Sequence, residues 1–315
     1  MLSGGRVVKK TFIADFEDAA RPERFLPLRI TPLMPGFGAM VDGVDLSRAL
    51  SSEAQARLRA AWLQFGVIFL RGQKRLSPDR HRELAAIFGA PDAGSHMVEK
   101  GAGVDLLITD EGKPPVANTW HSDNTNLEHP SLGTFIQIQD CPPVGGNTMW
   151  SSAQRAYEFL SPNMKACLVG LTAVHYWNTR GYREQTHLAA RLDAEFLDRV
   201  RDYPPVEHPV VLTHPMTGRK SIYVNETYTK FIKGLHVYES RCLMDFLASW
   251  IRMPEFCLTH HWQENDIAVW DNFTMQHYAL ADYSAFRVNQ RVTFAVEGQA
   301  PQAAAGGAPA DAVMA

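Results

Sequence analysis

The stretch TWHSDNTN, residues 119–126, places a histidine and an aspartate two positions apart, at His121 and Asp123. We expect this segment to be extended, and on a strand residues two apart point to the same face. A histidine and a carboxylate side by side supply two ligands of the two-histidine, one-carboxylate set that holds Fe(II) and leaves positions open. The pair alone is a weak signal, because 12 histidines and 34 acidic residues produce such spacings by chance. A third ligand from a distant segment is therefore required.

Residues that could complete such a site lie far downstream. His277 follows the apolar run DIAVW, and Arg287 and Arg291 come ten and fourteen residues after it. A planar guanidinium can make two charge-assisted hydrogen bonds to one carboxylate of a dicarboxylate cosubstrate. Thr148, in the turn GGNTMW, offers a hydroxyl at the start of a strand. These side chains indicate an iron site beside an anion-binding site.

Composition excludes several classes of protein. The chain has 315 residues, of which 45% are hydrophobic and 21% charged, as in soluble globular proteins. A net charge of −3 argues against a nucleic-acid binder. No apolar run is long enough for a membrane span, and the N-terminus lacks the apolar region of a signal peptide. We therefore expect a cytoplasmic protein that acts on a small molecule, with no nucleic-acid or membrane partner.

The cysteines are widely spaced and form no CxxC pair, which argues against a zinc site. We expect them to be reduced and mostly buried. They are Cys141, Cys167, Cys242 and Cys257.

Strand signals alternate with a few helical ones along the chain. Helices are predicted at 51–65, 77–89, 151–160, 187–203 and 238–252. Strands are predicted at 28–33, 38–46, 66–72, 104–109, 133–141, 265–272 and 291–298, with a hairpin over 209–225. This order favours a mixed α+β fold, namely a double-stranded β-helix (jelly roll) core with flanking and inserted helices, over a βαβ wheel. We predict an N-terminal arm at 1–26, one domain at 27–298 and a disordered tail at 299–315.

The motifs, taken in order, resemble the TauD/TfdA family of Fe(II)/2-oxoglutarate-dependent dioxygenases. The matching motifs are WHSD, GGNTMW, HPVVLTHPMTGRKSIYVNE, WDN and QHYALADY. The resemblance covers roughly residues 28–298. The resemblance implies that His121, Asp123 and His277 bind Fe(II) and that Thr148 contacts the distal carboxylate of 2-oxoglutarate. O2 is the second cosubstrate, and succinate and CO2 are released. A carboxylate at Asp123 favours hydroxylation over halogenation.

The resemblance also implies roles for the two arginines. In the family the first arginine usually pairs with the distal carboxylate of 2-oxoglutarate and the second often reaches the anionic group of the substrate. Arg287 and Arg291 keep that spacing, and which of them takes which role stays open. His96 and Asn118 are candidate substrate contacts. Taurine itself is not the expected substrate, because no tyrosine follows His96 in its loop.

The expected activity is hydroxylation of a small anionic molecule, with C–O or C–S cleavage when the hydroxylated carbon carries a heteroatom. A biosynthetic tailoring oxygenase, which hydroxylates or desaturates a natural product, is the alternative within the class. A non-catalytic jelly-roll binding protein is the alternative from another class, and the complete set of site residues disfavours it. The family resemblance implies a homo-oligomer, either a dimer or a tetramer.

Other polar residues are expected to be structural. His260 and His261 are adjacent, so on a strand they point to opposite faces and cannot share a metal. His208 and His214 are expected to be surface or hydrogen-bonded residues. Glu226 could be proposed as a general base, but a surface or hydrogen-bonding role is favoured.

Overall fold

The computed structural model describes residues 25–92, 104–109, 117–177 and 204–298. The predicted helix at 187–203, the predicted tail at 299–315 and the candidate substrate residue His96 lie outside these residues.

The described chain is a mixed α and β structure. It contains five α-helices, α1 (Ser52–Phe65), α2 (Pro78–Ala85), α3 (Ala153–Phe159), α4 (Pro162–Leu168) and α5 (Val237–Ile251). Its first eight strands are β1 (Arg29–Met34), β2 (Phe37–Asp42), β3 (Val67–Leu70), β4 (Ala90–Pro91), β5 (Asp105–Thr109), β6 (Gly133–Asp140), β7 (Thr148–Ser152) and β8 (Thr172–His175). The others are β9 (Val206–Pro209), β10 (Val211–Thr213), β11 (Lys220–Ile222), β12 (Thr229–Ile232), β13 (Cys257–His260), β14 (Ile267–Asp271), β15 (Met275–Ala279) and β16 (Arg287–Ala295).

Two sheets carry the candidate site residues. The larger sheet has eight strands in the order β1-β2-β3-β14-β6-β16-β4, and β5 pairs with β16 at its edge. Only β2 and β3 run parallel; every other pair in this sheet is antiparallel. The smaller sheet has the order β13-β7-β15. Two further sheets, β12-β8-β9 and β10-β11, lie outside this pair.

Strand β14 shows how the larger sheet separates two cores. Ile267 and Val269 face the core that contains α1 and α2, whereas Ala268 and Trp270 face the smaller sheet. This alternation follows from the two-residue period of a strand. Because both faces are covered, the strand is a continuous apolar run. The core between the two sheets consists of Phe37, Val67, Phe69, Ile136, Ile138, Trp150, Leu258, Trp262, Ala268, Trp270 and Met275.

Helix α1 confirms the helix predicted at 51–65. The side chain of Ser51 accepts a hydrogen bond from the N–H of Ala54 at 3.2 Å, as an N-cap residue does. Gly66, with a φ of 70°, ends the helix and donates its N–H to the carbonyl of Trp62 at 2.8 Å. The buried face of the helix includes Leu58 and packs on the larger sheet.

Several elements differ from the sequence-based expectation. Helix α2 ends at Ala85 and not at Gly89, and α3 begins at Ala153 because the two serines before it complete β7. Helix α4 and the short strands β8, β9, β12, β13 and β15 were not predicted. These strands have four or five residues and mix polar with apolar side chains, so pairing within the sheets decides their conformation more than local preference does.

Phe25, which falls within the predicted N-terminal arm, is buried and packs against Phe65 with 6.1 Å between ring centroids. No helix in the described ranges is long and apolar enough to cross a membrane.

The expectation of mostly buried thiols is wrong. Cys141 and Cys257 are half-buried, whereas Cys167 and Cys242 lie on exposed positions of α4 and α5.

Candidate metal centre and active site

The structure brings the two predicted histidine ligands together through their backbones. The N–H of His121 donates to the carbonyl of His277 at 3.1 Å, and the N–H of His277 donates to the carbonyl of His121 at 2.7 Å. This is an isolated bridge, so the predicted extended segment reaches only to His121. The chain turns at Asp123, and Asn124 has a φ of 59°. Strand alternation is therefore not what places the carboxylate beside the histidines.

The three side chains nevertheless converge on one point. The Nε2 atoms of His121 and of His277 each lie 3.7 Å from Oδ1 of Asp123. All three ligand atoms lie within 4.8 Å of one another, and this is the one such cluster found in the described parts of the chain. Two ligand atoms that are each about 2.1 Å from one ion are about 3–4 Å apart. The cluster therefore fits a single Fe(II), for which two imidazoles and a carboxylate are a known donor set.

Neighbouring groups orient two of the three candidate ligands, His121 and Asp123. Nδ1 of His121 lies 2.7 Å from the carbonyl of Thr119. A carbonyl can only accept, so Nδ1 carries the proton and Nε2 keeps its lone pair for a metal. The hydroxyl of Thr134 donates to Oδ2 of Asp123 at 2.7 Å, which leaves Oδ1 facing the imidazoles.

Asn272, the last residue of the WDN motif, supports the position of Asp123 and of Thr134. The side-chain carbonyl of Asn272 accepts hydrogen bonds from the N–H of Asp123 at 3.2 Å and from the indole of Trp270 at 2.9 Å. Its amide donates to the hydroxyl of Thr134 at 3.1 Å. Asn272 therefore fixes both the backbone and the hydrogen-bond donor of the carboxylate ligand.

The ionisation states also suit a metal. Burial alone would raise the pKa of Asp123, but the nearby His277 and Arg291 lower it to about 2. Burial lowers the pKa of His277 to about 3, and the imidazole of His121 acts in the same direction. At neutral pH the carboxylate is charged and this imidazole is neutral, which are the states that bind a metal.

The glycine pair before Thr148 forms a turn that other residues would strain. Gly145 and Gly146 have φ values of 79° and 67°. The N–H of Gly146 donates to the carboxylate of Asp282 at 2.7 Å, and its carbonyl accepts from Nη1 of Arg287 at 2.7 Å. Arg287 is therefore hydrogen-bonded to the turn that directly precedes Thr148.

Arg287 is buried among neutral partners. Its residue is 4% exposed, and its Nε donates to the side chain of Asn289 at 3.0 Å. Its other hydrogen bonds go to the carbonyl of Gly146 and the hydroxyl of Tyr283, and no carboxylate pairs with it within residues 25–92, 104–109, 117–177 and 204–298. A buried guanidinium needs a compensating anion, and none of these residues supplies one.

Arg291, by contrast, is already paired. Its Nε and Nη2 donate to Oδ2 of Asp105 at 3.1 and 2.8 Å. Its Nη1 lies 3.9 Å from Oδ1 of Asp123 and faces the metal ligands. The nearby carboxylates of Asp105 and Asp123 outweigh the effect of burial and raise the pKa of Arg291. Sequence reasoning missed Asp105, which faces Arg291 because β5 and β16 pair in that register.

Asn118 lies on the wall of a cleft of about 590 Å³ between α5 and the segment at 224–230. The lining of this cleft does not include the three metal-ligand candidates. It includes Lys230, whose pKa burial lowers to about 8. It also includes Glu226, which pairs with Arg252 at 2.6 Å, so the expected hydrogen-bonding role of this carboxylate is confirmed.

Three other histidines that the sequence singled out have structural partners, namely His208, His214 and His260. His260 is buried and lies 3.0 Å from Asp266, whereas His261 is exposed, as their adjacent positions predicted. His208 and His214 are buried and hydrogen-bonded: Nε2 of His208 lies 2.9 Å from the carbonyl of Leu127, and Nδ1 of His214 accepts from the N–H groups of Met216 and Thr217 at 3.2 Å.

Known proteins share this chain's sequence and fold. The family model described as "Taurine catabolism dioxygenase TauD, TfdA family" matches residues 29–293. An alkylsulfatase of Acinetobacter baylyi is 32% identical over 277 residues, which are 86% of each chain. An alpha-ketoglutarate-dependent sulfate ester dioxygenase of Pseudomonas putida is 31% identical and covers 86% of this chain and 91% of its own.

A solved structure agrees with these matches. The crystal structure of a taurine dioxygenase from Burkholderia xenovorans superposes with a TM-score of 0.72 at 29% identity, over 86% of this chain and 91% of that one. Since the family model spans most of the sequence and the relatives match over nearly their whole length, the chain belongs to the taurine catabolism dioxygenase TauD, TfdA family.

Proposed function

We propose that this protein is an Fe(II)- and 2-oxoglutarate-dependent dioxygenase that hydroxylates a small anionic organic molecule and releases succinate and CO2. The observation that carries the proposal is the convergence of His121, Asp123 and His277 on one point within 4.8 Å. Membership of the family supports the same cofactors, namely Fe(II) with 2-oxoglutarate and O2 as cosubstrates.

The protein side chains have separable tasks in this reaction. When bound, Fe(II) with 2-oxoglutarate would supply the activation of O2 for attack on a substrate C–H bond. His121 and His277 would hold the metal through their Nε2 atoms, and Asp123 would hold it through Oδ1. The hydroxyl of Thr134 stabilises the charge of that carboxylate through its other oxygen.

We assign the distal carboxylate of 2-oxoglutarate to Arg287 and Thr148. Arg287 is the buried cation that lacks a carboxylate partner among the described residues, so a bound dicarboxylate would supply its counter-charge. Arg291 lies four residues along β16, roughly 13 Å away at the Cα atoms. Its free edge faces the metal ligands, where an anionic group bound near the metal would meet it.

Sulfate esters are the substrate class that the relatives support best, because two of them are named for that chemistry. Hydroxylation would insert one oxygen atom of O2 into the C–H bond next to the ester oxygen. The adduct then breaks its C–O bond and yields a carbonyl compound, sulfate and a proton. The second oxygen atom enters succinate. Asn118, on the wall of the cleft beside Thr119, and His96 are our candidates for substrate contacts.

The fold and assembly proposals rest on the same family. We propose that the larger and smaller sheets form a jelly roll, since one apolar core lies between them. We also propose a single domain over 27–298, a cytoplasmic location and a dimer or tetramer.

The test is spectroscopic. Fe(II) and 2-oxoglutarate added to the metal-free protein without oxygen should give a weak visible charge-transfer band, and a non-catalytic binding protein would give none. Alkyl sulfates, sulfonates and carboxylates should then be compared for substrate-dependent succinate release. A wild-type chain that shows no band would overturn the proposal.

A further inference from the structure

Trp262 contacts both side chains that we assign to the distal carboxylate of 2-oxoglutarate. Its indole N–H donates to the hydroxyl oxygen of Thr148 at 3.0 Å. The guanidinium carbon of Arg287 lies 6.0 Å from the centroid of its ring. Trp262 comes shortly after β13 and is 9% exposed. One buried indole therefore joins the hydroxyl donor and the cation.

The hydrogen bond from Trp262 limits what the Thr148 hydroxyl can do. A threonine hydroxyl has one hydrogen and two lone pairs, whereas an indole N–H can only donate. The indole therefore occupies a lone pair, and the hydroxyl hydrogen has to point away from Trp262. Among the described residues, no other hydrogen bond of this hydroxyl is found. The hydroxyl is left as a donor without an acceptor.

The indole is itself held in place on several sides. Its ring lies 4.8 Å from the imidazole of His260 in an edge-to-face contact, and 5.9 Å from the ring of Trp150. His260 is fixed in turn by the carboxylate of Asp266 at 3.0 Å and by stacking on Phe69 at 4.2 Å. A donor that is packed in this way directs its partner with little loss of entropy on ligand binding.

We propose that Trp262 is a positioning residue for 2-oxoglutarate. It turns the Thr148 hydroxyl so that its hydrogen is donated to the distal carboxylate beside Arg287. This inference rests on the proposed function. It assigns to Trp262 an effect on cosubstrate affinity that is transmitted through Thr148, and it assigns no contact with the substrate or the metal.

The experiment is a double-mutant cycle in which the charge-transfer band measures the binding of 2-oxoglutarate. Fe(II)-loaded wild type, Trp262→Phe, Thr148→Val and the double variant are titrated with 2-oxoglutarate without oxygen. Trp262→Phe should raise the half-saturating concentration about three- to tenfold, the range that one hydrogen bond supplies. In the Thr148→Val background the same change should have almost no effect, because the hydroxyl it orients is gone.

Trp62→Phe is the matched control. Trp62 of α1 is fully buried in the other core, on the far face of the larger sheet, and its indole nitrogen has no hydrogen-bond partner in the described structure. The control should change packing and leave the 2-oxoglutarate titration within about twofold of wild type, since no hydrogen bond is lost. Thermal unfolding of each variant reports its folding. If Trp262→Phe does not fold, Trp262→Leu, which also lacks a ring N–H, takes its place in the cycle.

The outcomes separate this inference from the proposed function. An unchanged titration for the Trp262 variant would overturn the inference. A full effect that persists in the Thr148→Val background would also overturn it, because Trp262 would then act through Arg287 or through packing. A wild-type chain without any band would instead overturn the proposed function.

Discussion

At the residue scale, the imidazole of His277 is central to the candidate metal site. It supplies one of three candidate ligand atoms and lies opposite His121 in the backbone bridge. His277→Ala keeps the backbone hydrogen bonds and removes only the ligand. We expect succinate formation to be abolished while the far-UV circular dichroism spectrum stays unchanged. His129→Ala, at an exposed position, is the control and should keep full activity. Activity that survives in His277→Ala would show that the metal ligands are assigned wrongly.

Arg287 and Arg291 should behave differently when each is replaced. Arg287→Ala removes the cation assigned to 2-oxoglutarate, so the apparent KM for 2-oxoglutarate should rise by about 10- to 100-fold, as for one lost hydrogen bond to a charged group. The KM for the prime substrate should change far less. Arg241→Ala serves as the control, because this arginine is 79% exposed on α5 and should leave both values unchanged. A larger effect on the prime substrate would exchange the roles of Arg287 and Arg291.

At the scale of elements, the docking of α2 depends on a buried neutral histidine. The amide of Gln290 donates to Nδ1 of His81 at 2.9 Å, so Nε2 carries the proton and donates to the carbonyl of Phe135 at 3.1 Å. Burial lowers the pKa of His81 from 6.5 to about 4 in the folded chain. The unfolded chain therefore binds more protons below pH 6.5, and stability falls as the pH drops toward 4.

The pH dependence of unfolding tests this element. Between pH 7 and pH 5, His81 should account for a loss of about 2 kcal/mol in the free energy of unfolding. In His81→Gln, chemical denaturation of the metal-free protein should show a pH-dependent loss that is smaller by this amount. His261→Gln is the control at an exposed position and should keep the wild-type loss. An unchanged loss in His81→Gln would contradict the buried neutral state.

Strand β14 shows where sequence patterns succeed and where they stop. Its apolar run predicted a strand, and the structure confirms the strand and buries all five of its residues. A run that is apolar on both faces cannot set its own register, because a slip by one residue still buries apolar side chains. Buried polar residues at its two ends fix the register. Asp266, before the strand, is hydrogen-bonded to His260, and Asp271, at its end, lies 3.0 Å from His214. These partners are distant in sequence and became visible only in the structure.

At the scale of the whole molecule, some residues of the candidate site could be predicted from the sequence and others could not. Motif spacing predicted the convergence of His121, Asp123 and His277, because the family resemblance orders them along the chain. It did not predict Asp105 or Trp262. Their roles depend on strand register and on packing between two sheets, and a single sequence carries neither in its local pattern.

Metal removal tests whether the whole fold depends on iron. The backbone hydrogen bonds between His121 and His277 and the bond from Thr134 to Asp123 hold the ligands without any contribution from an ion. We therefore expect the chelator-treated protein to keep its circular dichroism spectrum and cooperative unfolding. Adding Fe(II) should raise Tm, because the ion binds the native chain alone. A chain that loses its secondary structure with chelator would contradict this expectation.

The direct pairing of His121 with His277 has a consequence for synthesis. A nascent polypeptide that has not yet reached β15 already carries two ligands but has no partner strand to align them. Binding of iron by all three residues therefore requires that β15 has been made and has paired with the segment at His121. A copy that stops before β15 would lack the third ligand and could not assemble the candidate metal site.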